Sequence, residues 1–231
     1  MKHPQSTTAI KRLQMISENA LKLIIDFEVG GGETYYNKKA KFPIWPGGAS
    51  GITIGIGVDL GHIKKNDFDS IIAEYYTENE SINLSKCIGI TGKVGSPDSE
   101  KQMKSLLETV KTCELDYQSA IEIHESFTIP LYYERTKKTF KGLDSLPDDA
   151  KGAIVSLVFN RGTKLDGPKR THMAKIAELV SNFDKTKDTT LLSEIADTFI
   201  DMAEIWKGEK IYEGIKRRRL AEANLVSNSI A

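Results

Sequence analysis

Residues 24–62 constrain this chain most, because an apolar helical pattern ends there in an acid that glycines follow. Apolar residues recur at a helical period from about residue 9 to Glu28, and three glycines, Gly30 to Gly32, come next. Glycine permits the left-handed turn that ends many helices, so we expect the helix to end within a residue or two of Glu28. A carboxylate there lies at the negative end of the helix dipole and is partly desolvated, which favours its protonated form. These conditions suit a general acid.

A second acid follows in the segment TIGIGVD, residues 53–59. If the segment is one strand, its two-residue period places Thr53, Gly55, Gly57 and Asp59 on one face and three apolar residues on the other. A face with so little apolar surface allows a ligand to approach the backbone closely. An acid at a helix end opposite a second acid on a sheet is an arrangement that glycoside hydrolysis uses.

The motifs FEVGGG and TIGIGVDLGH are followed by SLVFNRG and, near the end, by GIKRRRLAEANL. In this order, over residues 20–226, they resemble the lysozyme-like superfamily of muramidases, particularly phage T4-type lysozymes and the lysozyme domain of pesticin-type bacteriocins. The resemblance implies an α+β, mainly helical fold in which a small β-sheet lobe and a helical lobe flank a cleft. It also implies a peptidoglycan hydrolase that cleaves the glycan strand between N-acetylmuramic acid and N-acetylglucosamine.

The resemblance assigns Glu28 as the general acid. Phage-type lysozymes place an aspartate nine residues after this glutamate, where this chain has Asn37, and a threonine six residues further on, ten positions before Thr53. The pesticin-type pattern keeps the threonine and places an aspartate six residues after it, which matches Thr53 and Asp59. The match implies that Asp59 activates the attacking water while Thr53 positions it, and that hydrolysis inverts the configuration.

Each of these residues has a structural alternative. Glu28 could be a solvated acid at a helix end, Asp59 a turn-capping aspartate, and Thr53 an ordinary β-branched strand residue. Asp26 competes with Glu28 for the role of acid but lies on a different face of the helix. His62, close to Asp59 in the chain, is interpreted as incidental.

Four further residues are candidates for substrate binding. Asn160 and Arg161, at the end of a predicted helix, could contact N-acetyl or lactyl groups, or could have a structural role between the lobes. Trp45 or Tyr36 could stack against a pyranose ring; the alternative is a hydrophobic cluster beneath the loop. The three arginines at 217–219 are interpreted as salt-bridge partners at a helix end rather than as a wall-binding patch.

Charge and hydropathy limit the partners. The chain has 32 basic and 32 acidic residues, whereas a nucleic-acid binder usually shows a basic excess, so nucleic acid is not expected. No apolar run approaches the roughly 18 residues that span a membrane, and the N-terminus lacks the apolar region of a secretory signal. We therefore expect synthesis in the cytoplasm without a signal peptide, no membrane insertion, and action in the periplasm or cell wall of the host or of a target bacterium. The histidines lack acids or cysteines at ligand spacing, so neither a metal nor a cofactor is expected.

The chain shows no internal repeat, so we expect a single domain over residues 1–231. It would comprise a disordered tail at about 1–8, a catalytic helix and β region at 9–62, and a helical lobe at 63–231. Residues 30–62 are predicted as a hairpin plus a loop. Further helices are predicted at 65–85, 98–126, from Ser145 to Arg161, and at 171–182, 188–206 and 210–226. Whether Cys87 and Cys113 pair is left open.

The resemblance also suggests the biological setting. The expected partner is bacterial peptidoglycan, bound by a monomer. An antibacterial toxin would add an immunity protein or a delivery apparatus as a partner, and a phage endolysin is the other setting. Two alternative functions remain: a lytic transglycosylase, and a non-catalytic glycan-binding homologue.

Overall fold

The structure of the protein is a computed structural model, and it describes residues 15–30, 32–205 and 212–230. Within these ranges the chain is mainly helical and has one two-stranded antiparallel sheet, which confirms the predicted mainly helical α+β class. Ten helices of at least seven residues lie in the described part of the chain: α1 Glu18–Glu28, α2 Gly32–Lys39, α3 Glu78–Ser85, α4 Pro97–Val110, α5 Tyr117–Ile123, α6 Ile129–Thr139, α7 Asp148–Arg161, α8 Thr171–Thr186, α9 Thr190–Glu204 and α10 Glu213–Asn228. A π-helical turn, His124–Thr128, joins α5 to α6.

Helix α1 ends at Glu28, as the sequence predicts. The predicted start at residue 9 lies outside the described residues, and within them the helix begins only at Glu18, because the Ser17 side chain accepts a hydrogen bond from Ala20 N at 3.0 Å and caps the helix. Helix α1 packs closely on α7, since a Cβ on Gly152 would lie 2.0 Å from the Cβ of Ala20. This close approach fixes the direction in which α1 carries Glu28.

The segment predicted as one strand is a hairpin. Strand β1 is Thr53–Ile54 and strand β2 is Val58–Asp59, with Thr53 paired to Asp59 and Ile54 paired to Val58. Gly55 and Gly57 turn the chain between them with φ of 53° and 75°, left-handed values that glycine adopts without steric cost. The prediction of a continuous strand was therefore wrong, although the three apolar residues, at 54, 56 and 58, are buried as expected.

Helix α2 was not predicted, because residues 30–62 were interpreted as a hairpin plus a loop. Only Tyr36 in this helix is buried, so its sequence GETYYNKK carries no apolar period. Helix α6 was also not predicted, and the predicted helix at 65–85 is divided into short helical turns over 65–75 and the separate helix α3. The predicted stretch 98–126 is interrupted at 111–116, and the other helices lie close to their predicted positions. Helix α7 begins at Asp148 rather than at Ser145, whose hydroxyl donates to Gly142 O instead of capping the helix.

Buried apolar side chains form two clusters in the described structure. The first combines residues 16–24 with residues 129–226, and the second comprises residues 29–127. The helical residues 63–127 therefore pack with the β region, so the chain does not divide at residue 62 as predicted. Helix α1 passes from one cluster to the other, with Ile24 buried in the first and Val29 in the second. Glu28 consequently lies where the two clusters meet.

The two cysteines belong to the second cluster. Cys87 and Cys113 are buried free thiols. Burial raises the pKa of the Cys87 thiol to about 11 and also raises the pKa of Cys113. Both are therefore protonated, apolar packing residues near neutral pH.

Across the described ranges, no helix combines the length and the apolar character needed to cross a membrane.

Candidate active site

Glu28 is the last residue of α1, and its side chain is 28% exposed. Its Oε1 accepts a hydrogen bond from Arg218 Nη1 at 2.7 Å. Arg218 lies in α10 and is only 4% exposed, so a buried cation holds the carboxylate in place. The competing acid Asp26 is 58% exposed and pairs with Lys22 at 2.9 Å, on a solvated face of α1. The geometry therefore favours Glu28 over Asp26.

Arg218 is itself held by a buried polar network. Its Nε donates to Ser156 Oγ at 3.1 Å and its Nη2 to Ser156 O at 3.2 Å. Ser156 Oγ in turn donates to Glu222 Oε1 at 2.6 Å, and Arg219 Nε lies 2.8 Å from Glu222 Oε2. Complete burial raises the pKa of Glu222, although the charges of Arg219 and Arg218 act in the opposite direction. Burial also lowers the pKa of Arg219 to about 10. The interpretation of these arginines as salt-bridge partners is confirmed for Arg218 and Arg219.

Thr53 and Asp59 face each other across the hairpin. They are directly opposite in the antiparallel register, which places their Cβ atoms about 4.5–5.5 Å apart on the same face. Both side chains are half-buried. The structure therefore brings together the two residues that the sequence assigns to the attacking water.

The Asp59 carboxylate is fixed by backbone amides. Gly51 N donates to Oδ1 at 3.0 Å and to Oδ2 at 3.1 Å, and Gly61 N donates to Oδ1 at 2.8 Å. A Cβ on Gly51 would lie 2.4 Å from Oδ1, so glycine is required for this contact. Asp59 is thus a turn cap, as the structural alternative predicted. Oδ2, which accepts from Gly51 alone among the described amides, keeps lone-pair capacity for a water molecule.

A cavity of about 460 Å³ lies next to Asp59. Asp59 and His62 line one side, and Thr128, Tyr132 and Arg135, from the π-helical turn and α6, line the other. His62 Nε2 is 3.9 Å from Asp59 Oδ2, and the His62 side chain is mostly exposed. The cavity therefore lies between the hairpin and helix α6 with the π-helical turn that precedes it.

Stacked side chains connect this cavity to Glu28. The Tyr132 ring stacks on Phe159 with centroids 4.2 Å apart. The Arg218 guanidinium carbon lies 6.0 Å from the Phe159 centroid and 5.6 Å from that of Phe27. Tyr132, Phe159 and Arg218 therefore form a series of packed side chains that leads from Glu28 to the cavity that Asp59 also lines.

Tyr36 does not line a cleft. It is fully buried, its hydroxyl donates to Leu115 O at 2.9 Å, and its ring packs against Tyr117. A pyranose cannot reach this ring, so the expectation that Tyr36 stacks on a sugar is corrected. Trp45 is half-buried, with Nε1 donating to Ser50 O at 3.0 Å and its ring against the second cluster. These contacts favour the hydrophobic-cluster interpretation for Tyr36. They also place the Trp45 ring largely against that cluster.

Asn160 and Arg161 lie at the end of α7, with different surroundings. Asn160 is exposed, and its Oδ1 accepts from Arg219 Nη2 at 3.3 Å. Arg161 Nη2 donates to Lys169 O at 2.7 Å, while Arg161 O accepts from Arg170 Nη1. Burial and the nearby Arg170 lower the pKa of Arg161. Arg161 therefore fastens the loop 162–170, whereas Asn160 has a side chain that faces solvent.

Sequence reasoning missed the partner of Glu28. Arg218 is 190 positions away in the chain, and no local pattern links the two residues. One signal was available: Arg218 and Arg219 precede Glu222 by four and three residues, the spacing of helical ion pairs. Phe159 lies within the SLVFNRG motif, but its contact with Arg218 was not expected.

No model of a known protein family matches this chain, and a search of curated proteins found no match. Among the described residues, no group of three or more histidine, cysteine, aspartate or glutamate side chains could hold a metal ion.

Proposed function

We propose that this protein is a peptidoglycan hydrolase, a muramidase that cleaves between N-acetylmuramic acid and N-acetylglucosamine. The observation that carries the proposal is the position of Glu28 at the junction of the two apolar clusters, linked through Arg218, Phe159 and Tyr132 to the cavity beside Asp59. Inverting glycoside hydrolysis uses two carboxyl groups that flank the scissile bond about 6.5–9.5 Å apart, with room for a water molecule, and the proposal assigns these two roles to Glu28 and Asp59. A lysozyme-like arrangement of two lobes around a cleft is part of the same proposal.

In the proposed reaction, protonated Glu28 donates its proton to the glycosidic oxygen as the bond to the anomeric carbon breaks. A water molecule held by Thr53 attacks that carbon from the opposite face and loses its proton to Asp59 Oδ2. Arg218 orients Glu28 through the hydrogen bond to Oε1.

Asn160 and Trp45 remain candidates for substrate contacts. Arg161 contributes to substrate binding indirectly, because it fixes the loop after α7. The proposed partner is bacterial peptidoglycan, bound by a monomer in the periplasm or cell wall of a host or target bacterium. An antibacterial toxin, with an immunity protein or a delivery apparatus, and a phage endolysin are the two settings that fit.

A lytic transglycosylase is the second candidate, favoured by one observation. Asp59 is engaged as a turn cap by the amides of Gly51 and Gly61, a role that needs no catalysis. A transglycosylase uses the glutamate but no water-activating acid, and its products carry 1,6-anhydro ends. A non-catalytic glycan-binding homologue would yield no cleavage at all.

The test is digestion of purified peptidoglycan by the full-length protein, followed by mass spectrometry of the soluble products. We expect products with reducing N-acetylmuramic acid ends, released first as the inverted anomer in NMR spectra of the fresh digest. Products with 1,6-anhydro ends would replace the hydrolase by the transglycosylase. Wall binding without cleavage by the folded protein would refute both enzymatic proposals.

A further inference from the structure

Arg135 is an exposed cation on the wall of the cavity beside Asp59, and the described residues give it no partner of opposite charge. Arg135 lines the cavity, and its guanidinium carbon lies 5.0 Å from the centroid of the Tyr132 ring. Within the ranges that the structure describes, no carboxylate forms an ion pair with Arg135. A guanidinium that packs on an aromatic ring keeps its N–H edge available for two parallel hydrogen bonds to a carboxylate. Because Tyr132 is stacked on Phe159, the surface that supports Arg135 is itself fixed.

A buried hydroxyl supplies independent evidence for a ligand. Thr128 lines the same cavity and is 3% exposed, yet its Oγ1 has no hydrogen-bond partner in the described part of the protein. An unpaired buried hydroxyl costs about 1–3 kcal/mol, so buried polar atoms of this kind usually meet a ligand or water. A volume of about 460 Å³ accommodates a substituted monosaccharide.

The charges on the two walls set the orientation of such a ligand. Asp59 is on the hairpin wall and Arg135 on the α6 wall. A carboxylate is repelled by the first and attracted by the second, so the acidic end of the ligand should lie against Arg135. Neutral hydroxyl or N-acetyl groups would then lie towards Asp59 and within reach of Thr128.

We infer that this cavity binds a carboxylate-bearing N-acetylated sugar, and that Arg135 selects the acidic substituent. The inference rests on the proposed function, since it identifies the part of the glycan that carries the carboxylate as a specificity determinant. The carboxylate could be that of the lactyl group or that of a peptide attached to it. In either case, an enzyme with Arg135 in place should discriminate against neutral polymers of N-acetylglucosamine.

The first test measures binding and needs no cleavage. N-acetylglucosamine, N-acetylmuramic acid and muramyl dipeptide are titrated into the full chain, followed by NMR or calorimetry. Arg135→Gln should weaken binding of the acidic ligands by about 10-fold or more, the value of a charge-assisted hydrogen bond, and leave the neutral sugar unchanged. The two acidic ligands distinguish a lactyl from a peptide carboxylate. Thr128→Val should weaken all ligands that enter the cavity.

Lys138→Gln is the matched control, because it removes one positive charge from an exposed position on α6 outside this cavity. Its affinities should equal those of the wild type. Arg135→Lys keeps the charge but loses the planar fork, so it should recover only part of the affinity. Equal losses in Arg135→Gln and Lys138→Gln would overturn the inference, as would a wild-type protein that binds none of the three ligands.

The second test uses turnover and separates this inference from the proposed function. On peptidoglycan, Arg135→Gln should raise KM with little change in kcat, whereas activity on chitin oligomers should not change. A wild-type protein that binds acidic sugars through Arg135 but cleaves neither polymer would refute the hydrolase proposal alone. A wild-type enzyme that cleaves peptidoglycan with a KM unaffected by Arg135→Gln would refute the role of Arg135 alone.

Discussion

Glu28→Gln should remove activity at a small cost in stability, and the structure indicates how small. The amide keeps an oxygen that can accept from Arg218, and Arg218 keeps its contacts with Ser156 and Glu222. What is lost is the difference between a charge-assisted and a neutral hydrogen bond, about 1 kcal/mol at a site that is 28% exposed. For a chain of this length that change lowers the midpoint of thermal unfolding by about 2–4 °C.

The effect on cleavage should be far larger, because the amide introduced by Glu28→Gln has no acidic proton to donate to the leaving oxygen. Loss of a general acid reduces the rate by about 10²- to 10⁴-fold, which an assay of reducing ends released from peptidoglycan would resolve. Asp26→Asn is the matched control, since it neutralises an acid two residues earlier on the solvated face of α1. It should leave cleavage close to the wild-type rate. Wild-type cleavage by a folded Glu28→Gln protein would refute the assignment, and so would an equal loss in Asp26→Asn.

Three further predictions concern the hairpin, the buried network and a buried histidine. Asp59→Asn and Thr53→Ala should each abolish most cleavage, and the double variant should be little worse than Asp59→Asn, because both residues act on one water; additive losses in kcat would contradict this. Arg218→Met should lower the free energy of unfolding in urea by about 3–5 kcal/mol, because it leaves the buried Glu222 with one arginine fewer; a change below about 1 kcal/mol would contradict the buried network. His124 tests pH dependence, because burial lowers its pKa from an ordinary 6.5 to about 4. Between these pH values the unfolded state binds more protons than the folded state, so the free energy of unfolding falls as the pH drops from 6.5 to 4. The loss over the interval is about 3 kcal/mol, and urea unfolding of His124→Gln should show a correspondingly flatter profile.

The elements that sequence reasoning placed correctly have a long apolar run or a clear end signal. Helix α7 contains such a run, buried continuously from Gly152 to Val158, and α1 is followed by glycines that stop it at Glu28. Helix α2 buries only Tyr36, so nothing in its composition distinguishes it from a loop. The hairpin was mistaken for a strand because Gly55 and Gly57 reverse the chain without disturbing the alternation of buried and exposed positions.

For the site, sequence reasoning identified the catalytic candidates but not what holds them. Thr53 and Asp59 are only six residues apart and pair within one hairpin. A short sequence motif is therefore enough to specify their relative position. The contact between Glu28 and Arg218 depends on how α1, α7 and α10 pack, and a sequence pattern does not encode that packing. Tyr36 was assigned wrongly because a tyrosine in a loop-rich region can either pack in the core or stack on a sugar. Only the structure shows that its ring is enclosed.

The buried charges of α10 are better explained by positioning than by stability. A buried ion pair gains little over an apolar replacement, because the desolvation of each charge offsets most of the attraction. Arg218 is nevertheless buried between Ser156, Glu222 and two aromatic rings, and it reaches the partly exposed carboxylate of Glu28. Each of these contacts restricts the guanidinium to one orientation, so the network specifies where Glu28 Oε1 lies. A general acid must meet a leaving oxygen at hydrogen-bond distance, and a misplacement of about 1 Å can cost about 10²-fold in rate. The geometry of this network therefore matters to the proposed reaction even where its net contribution to folding is small.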